Sequence, residues 1–282
     1  VGDLYIKLKA FKSSLPSTNT FYFVKLDVQA AFDTIPQAAV LELVSKLPTE
    51  AEYRISKHVE IKPGEDFRFD ANSRPRRKWT ALARPLDDYQ TFDEALESEL
   101  AIGKKNTVFI ENVVNGFRDS TEILTLLTEH IRQNIVKIGK KFYRQKEGIP
   151  QGSVLSSLLC NLFYADLEAQ HLAFLQPEQS LLLRLIDDFL LITTNPQHAK
   201  QFLQVMHDGL PAYGVRVNPH KTLVNFEVTI NDKKIERLIG NPGFPYCGNF
   251  IDMKTLNISK DRHRKQDMGM FYVYCFVFRR LG

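Results

Sequence analysis

Leu181-Leu-Leu-Arg-Leu185, Ile186-Asp187-Asp188-Phe189 and Leu190-Leu-Ile-Thr193 form one continuous stretch in which two adjacent acids interrupt two apolar, strand-like runs. An unpaired carboxylate in an apolar setting costs several kcal/mol, so the chain must bring the acids to an edge where something answers their charge. A tight hairpin with Asp187 and Asp188 at its tip does this, and a divalent cation there would offset their repulsion. A plain surface turn explains the pair equally well, because Asp favours turns through local hydrogen bonds. From the hairpin alone the two readings stand level.

A third acid separates them. Thr20-Phe-Tyr-Phe-Val-Lys-Leu26 is aromatic and β-branched, reads as a buried strand, and ends at Asp27. Pro36 then suits the first turn of a helix carrying Ala38, Val40, Leu41, Leu43 and Val44. If the strand and the hairpin are sheet neighbours, Asp27 and Asp187 share one site. One or two carboxylates completed by substrate phosphates are what Mg²⁺ prefers. Two such ions about 3.5–4 Å apart polarise an attacking hydroxyl and stabilise the leaving oxygen in phosphoryl transfer.

Three further segments occur in a telling order. Lys146-Glu-Gly-Ile-Pro-Gln-Gly-Ser-Val-Leu-Ser156 leads into Ser157-Leu-Leu-Cys-Asn-Leu-Phe-Tyr-Ala-Asp-Leu-Glu168. Val217-Asn-Pro-His-Lys-Thr222 follows the hairpin, and Phe244-Pro-Tyr-Cys-Gly-Asn-Phe-Ile-Asp252 comes later. Together with Asp27 and the hairpin they resemble the palm of a reverse transcriptase, and specifically that of the telomerase reverse transcriptases, in patches from about Leu4 to about Asp261. An Asp-Asp or Gln-Gly pair alone carries little weight; the ordered set is specific. Gln151-Gly152 runs on without the proline that many mobile-element enzymes carry after the serine. Leu185 stands where retroviral enzymes have tyrosine, and Phe32-Asp33-Thr34-Ile35-Pro36-Gln37 looks like the telomerase continuation of the first acidic motif.

The resemblance implies an α+β fold: a right-hand polymerase palm with a fingers-side helical insertion and a thumb largely absent. It implies RNA-templated extension of telomeric DNA 3′ ends by two-metal nucleotidyl transfer, with two Mg²⁺ ions as cofactors. Asp27, Asp187 and Asp188 match the metal-binding and catalytic acids, and Lys221 matches a catalytic lysine near the triphosphate. Phe32 matches the aromatic beneath the incoming sugar, where a ring leaves no room or acceptor for a 2′-hydroxyl. Gln151 and Gly152 match the nucleotide-binding turn. Leu185, Tyr246, Cys247 and Gly248 match positions at the primer, although the family more usually has tryptophan where Tyr246 stands. Implied partners are a template RNA, a telomeric single-stranded DNA primer, deoxynucleoside triphosphates and accessory telomerase proteins, at telomeres in the nucleus and without a membrane. The alternatives are a mobile-element reverse transcriptase and a catalytically inactive nucleic-acid-binding scaffold. Taken singly, each position also has an ordinary explanation: Asp33 as a cap on the helix after Ile35 or as the partner of a nearby turn, Lys221 as a solvated lysine, Tyr246 and Cys247 as core.

Composition sets looser bounds. A formal charge of +4 in 282 residues is too mild to mark a nucleic-acid protein by itself. Its distribution says more, because cations cluster at Arg74-Pro-Arg-Arg-Lys78, from Lys137 to Lys146, and at Lys260-Asp-Arg-His-Arg-Lys265, with Trp79, Phe142 and Tyr143 interleaved. Cys160, Cys247 and Cys275 are sparse and odd in number, which argues for a reducing compartment and against structural zinc. No signal peptide is visible, and Phe271–Phe278 is too short to span a bilayer. The organisation expected is a palm start over 1–46, a fingers insertion and fingers-side helices over 47–134, the remaining palm motifs over 135–261 and an atypical tail over 262–282. Residues 47–105 read as polar and irregular, Thr107–Ile110 as a short strand, and Ile135–Arg144 as a hairpin. Ser153–Glu168 and Gln197–Leu210 read as helices. The chain lacks an initiator methionine and is expected to be a piece of a longer protein, with little processive activity when isolated.

Overall fold

A computed structural model describes residues 2–16, 20–64, 73–88, 90–241 and 243–261. The chain divides into two compact units, one built from residues before 44 and after 130, the other from residues 44–130.

The first unit is organised by a five-stranded sheet. Its strand order is Glu236–Arg237, Leu223–Val224, Tyr22–Asp27, Asp188–Thr193, Ser180–Leu185, antiparallel throughout except for the outermost Glu236–Arg237 pairing. The expected aromatic strand is thus the central one, and the acidic hairpin is its direct neighbour. Side chains alternate between faces along each strand, so register decides what each face buries. On one face, Phe23, Leu183, Leu190 and Ile192 pack with Leu4, Leu8 and Phe11 of helix Gly2–Ser13 and with Phe244, Tyr246 and Ile251. The last three belong to a separate three-stranded antiparallel sheet of Gly243–Tyr246, Asn249–Asp252 and Ile258–Lys260. Alternation turns Val24, Leu26, Phe189 and Leu191 to the other face, where helices Val154–His171 and Pro196–Asp208 lie: Tyr164 meets Phe189 at 6.0 Å, and Ala199, Phe202, Leu203 and Met206 are buried. Asp188–Thr193 is consequently covered on both sides, which is why it reads as an unbroken apolar run.

The helices start where local chemistry permits. Asn195 caps Pro196–Asp208 by accepting from the Gln197 amide, with Pro196 at the first helical position. Ser153 occupies the N-cap position of Val154–His171, three residues longer than expected at its C-terminal end. The expected hairpin forms as Ile135–Ile138 paired with Lys141–Arg144, and Ile135, Ile138 and Phe142 stand exposed on it.

The second unit corrects the expectation of a helical insertion. It is built on a three-stranded antiparallel sheet, with Glu52–Lys62 in the centre and Arg76–Pro85 and Val108–Asp119 at its sides. The supposed polar, irregular tract holds two of those strands, and the short strand at residue 108 is the start of the third. Charge concealed them: Lys and Arg lay aliphatic stems along a sheet while keeping their charged ends in water, so a basic run is compatible with pairing. Tyr53, Ile55, Val59 and Ile61 do keep period-two spacing, but Lys57 and a register shift between Ile55 and Lys57 interrupt it. The sheet buries His58 and Glu60, and Lys104 Nζ meets Glu60 Oε1 at 2.6 Å, holding that carboxyl below its ordinary range. Helical content in this unit, among the described residues, is the last two residues of Gln37–Ser45, Phe92–Ala95 with its continuation Leu96–Leu100, and Ser120–Arg132, which runs past the unit's end. Phe271–Phe278 and the rest of the tail lie outside the described residues.

Phe23 is fully buried and meets the Phe244 ring at 5.0 Å, tying the central strand to the smaller sheet. Replacing it by alanine should lower the free energy of unfolding by about 3–5 kcal/mol, the range for a large aromatic lost from a core. Urea denaturation of Phe23→Ala checks this; a change under about 1 kcal/mol would mean the two sheets are not energetically joined there.

Candidate active site

The hairpin turn has two residues, Ile186 and Asp187, closed by the pairing of Leu185 with Asp188. Ile186 has φ 57°. A positive φ at the first central position matches a primed turn, whose twist suits flanking antiparallel strands. Glycine is the usual occupant; a β-branched residue there is an outlier that costs on the order of 1–3 kcal/mol. Two features hold the turn. The Asp187 carbonyl accepts from the Val28 amide at 3.1 Å, and the Ile186 carbonyl accepts from Arg184 Nη1 at 3.3 Å.

Arg184 is itself fixed from the long helix. Nη1 donates to Asn161 Oδ1 at 2.8 Å, Nη2 to the Asn161 carbonyl at 3.1 Å and Nε to Glu168 Oε1. The Tyr164 and Phe189 rings lie 5.6 and 5.7 Å from its guanidinium carbon. The sequence reading passed over Arg184 as part of an apolar run. The signal was present: a permanently charged residue inside a buried strand needs a dedicated set of acceptors.

Asp27 lies directly opposite Asp188 in the sheet register, and Asp187 precedes Asp188 in the turn. Like charges facing across a sheet repel. Lys221, at the end of the Pro219–Lys221 turn, places Nζ 2.9 Å from Asp27 Oδ2. That carboxylate raises the lysine's pKa, first by the hydrogen bond and then by direct attraction. The Lys221 side chain is 62% exposed, so this pair contributes little to stability and leaves the ammonium accessible. Burial pushes the Asp187 carboxyl upward, and Asp188 and Asp27 push it further. Among the described residues no three His, Cys, Asp or Glu side chains form a ready metal cage. Asp27, Asp187 and Asp188 are nonetheless neighbours at one end of the sheet and repel one another, and one or two such carboxylates are enough for a hard divalent ion whose remaining positions are filled by phosphate oxygens and water.

Backbone contacts draw the other motif segments around these acids. Val28 bridges Val217, the Gln29 amide donates to the Arg216 carbonyl at 2.7 Å, and the Asn218 amide donates to the Asp27 carbonyl at 3.0 Å. Phe32 is half-buried in the short helix Ala31–Thr34, and its carbonyl accepts from the Ile149 amide at 2.7 Å. Gln151 Nε2 then lies 3.1 Å from both carboxylate oxygens of Asp33. Of the two ordinary roles considered for Asp33, a cap on the helix after Ile35 is not the one seen: Asp33 sits inside the Ala31–Thr34 helix and holds the Gln151 amide of a nearby turn. Gly152, at φ 84°, completes the turn before the long helix.

On the opposite flank, Cys247 and Gly248 are the two central residues of a hairpin, both at positive φ. Tyr246 is buried in the core, and its hydroxyl donates to the Asp188 carbonyl at 3.2 Å. The ordinary core explanation and a connection to the site both describe Tyr246. Cys247 is half-buried, in a turn rather than the interior. Cys160 is the buried thiol, pushed up to about 12 by desolvation.

A reverse transcriptase (RNA-dependent DNA polymerase) family model matches residues 100–248, more than half the chain. The chain belongs to the reverse transcriptase family. Telomerase reverse transcriptase of Mus musculus is 35% identical over 269 residues, spanning 93% of this chain and 24% of the relative. That of Oryza sativa subsp. japonica is 31% identical over 278 residues, spanning 91% and 21%. The telomerase resemblance carried by the motifs therefore stands. The chain spans about a quarter of the length of these curated relatives. Apo telomerase from Candida tropicalis shares the fold, with TM-score 0.57 and 22% identity over 92% of this chain and 36% of that one. A Candida tropicalis telomerase in complex with a TWJ fragment of telomeric RNA has TM-score 0.57 and 20% identity, covering 94% and 34%.

Gly148 permits the close approach of the Gln151 turn to Phe32. Its φ is 73°, and a Cβ there would fall 2.3 Å from the Phe32 carbonyl oxygen. Gly148→Ala should destabilise the protein by more than about 2 kcal/mol, through strain plus overlap with immovable backbone. Gly103→Ala, at φ 70° with open space around it, should cost only about 1 kcal/mol. Equal losses in paired chemical denaturation curves would remove the close-approach explanation.

Proposed function

We propose that this chain is the fingers-and-palm segment of a telomerase that extends telomeric DNA 3′ ends by RNA-templated synthesis. The observation that carries this reading is the direct pairing of Asp27 with Asp188, with Asp187 in the adjoining turn and Lys221 on Asp27. The unit containing these acids would be the palm, and residues 44–130 the fingers-side insertion.

The reacting groups would be a primer 3′-hydroxyl and the α-phosphate of a deoxynucleoside triphosphate. Two Mg²⁺ ions held by Asp27 and Asp187, with Asp188 beside them, would polarise the hydroxyl and offset charge on the leaving oxygen. Lys221, accessible and strongly basic, is suited to answer the charge of the departing pyrophosphate. Phe32 would pack against the sugar of the incoming nucleotide and disfavour a 2′-hydroxyl. Gln151, held by Asp33, and Gly152 would present the turn against which nucleotide and template lie. Leu185 and the Tyr246-Cys247-Gly248 hairpin would set the primer end, and the tie from Tyr246 to Asp188 supports coupling of that grip to the acids. The exposed Ile135–Arg144 hairpin, with Lys137, Lys140, Lys141 and Arg144 beside Phe142 and Tyr143, supports contact with nucleic acid.

The partners proposed are thus template RNA, a single-stranded telomeric primer, deoxynucleoside triphosphates and accessory telomerase proteins, at chromosome ends in the nucleus. No helix among the described residues is long and apolar enough to cross a membrane.

In the full-length protein with its RNA, Asp187→Ala should reduce nucleotide addition by on the order of 10³-fold, the scale of several kcal/mol of lost charge stabilisation. RNA retention should be unchanged; primer extension equal to wild type would sink the assignment. Phe32→Ala should raise ribonucleotide incorporation relative to deoxynucleotide, and an unchanged ratio would remove the gate role.

A further inference from the structure

Arg184, on the strand that leads into the turn carrying Asp187, joins that turn to helix Val154–His171, a link the proposed chemistry does not itself require. We propose that Arg184 is a positioning residue: its guanidinium, clamped by Asn161 and Glu168 of helix Val154–His171, holds the Ile186 carbonyl and so keeps the left-handed turn that aims Asp187. The inference rests on the polymerase reading of the site and adds a residue to it.

Three observations carry it. The turn is strained where Arg184 acts, because Ile186 is β-branched and has φ 57°. The brace is built for rigidity: the Arg184 side chain is 9% exposed, with both terminal nitrogens and Nε engaged and two aromatic rings, Tyr164 and Phe189, in reach at 5.6 and 5.7 Å. Its anchors, Asn161 and Glu168, lie about two helical turns apart on a single face, so the helix sets the guanidinium's position and the guanidinium sets the turn's. Only the planar fork of arginine serves two carbonyls, an amide oxygen and a carboxylate at once; lysine keeps the charge but presents a single nitrogen. Alternation along the strand turns Arg184 to the face opposite Leu185, away from the primer side, so it contacts no reacting group.

The test uses the full-length protein with its template RNA and four variants: Arg184→Lys, Glu168→Gln, Ile186→Gly and the Arg184→Lys/Ile186→Gly pair. Arg184→Lys should lower the nucleotide addition rate at saturating primer and deoxynucleotide by about 10–100-fold, with KM values within about twofold, the size seen when an outer support of a metal site is lost. Glu168→Gln, a milder change, should move the rate the same way by a smaller factor. Glycine at 186 adopts the turn without strain, so the double variant should recover most of what Arg184→Lys loses. Mn²⁺ binding, titrated by water proton relaxation without nucleotide turnover, should weaken in Arg184→Lys and recover in the double variant. Wild-type rate and Mn²⁺ affinity in Arg184→Lys would overturn the proposal. A loss that Ile186→Gly does not relieve would also overturn it, since Arg184 would then serve the core and not the turn. Failure of the polymerase reading shows separately, as Asp187→Ala extending primers like wild type; the Mn²⁺ titration still decides the Arg184 assignment in that case.

Discussion

The antiparallel pairing of Tyr22–Asp27 with Asp188–Thr193 is the constraint from which the rest of the first unit follows. It sets Asp27 opposite Asp188, and it sends Phe23, Leu190 and Ile192 to one core and, by alternation, Leu26, Phe189 and Leu191 to the other. A slip of one residue would exchange the two buried faces, setting each apolar side chain against the wrong layer and taking Asp27 out of register with Asp188. The same apolar side chains that stabilise the sheet therefore specify the geometry of the acids. The cost is two carboxylates facing each other at the end of the pairing between the central strand and its neighbour.

That cost is met locally and incompletely. Lys221 answers Asp27 with an exposed, weakly stabilising pair, while Asp187 remains desolvated among like charges. Burial and repulsion both favour its protonated form, so any bound cation gains from relieving them. The strain in the Ile186 turn has a similar character: it is a local expense sustained by the surrounding structure. Both concentrate at the hairpin tip, where a relaxed alternative would have been a glycine turn with solvated acids.

The core strands of the first unit, the hairpin and the helices were legible in the sequence because apolar periodicity and acid placement are read directly from residue order. The second unit's sheet was not, since Arg76–Pro85 carries its pairing through the backbone while Arg and Lys mask its side-chain alternation. Arg184 and Asp33 escaped for another reason. Each acts on a residue distant in the chain or fixed by a turn, so its role depends on a partner that no local window contains. Asp33 resembled a cap because aspartate near a helix start has that default meaning; only Gly148, letting residues 148–151 approach Phe32, gives it Gln151 instead.

Tyr246 stands where the resemblance implies tryptophan, and the framework shows how that difference is absorbed. The ring lies in the core cluster with Phe244 and Ile251, and its hydroxyl donates to the Asp188 carbonyl. A tryptophan offers the same two properties, an apolar body and one N–H donor, so the exchange preserves both packing and the sign of the polar contact. Phenylalanine would preserve only the packing. What Tyr246 supplies at this position is then a donor on an aromatic scaffold, aimed at the backbone of the acidic hairpin. This follows from how the site is assembled, since backbone hydrogen bonds from Val28, Asn218, Gln29 and Ile149 gather its segments. Side chains that bond to backbone, as Tyr246 and Arg184 do, act on the frame, and their chemical identity can vary only as far as the donor they supply.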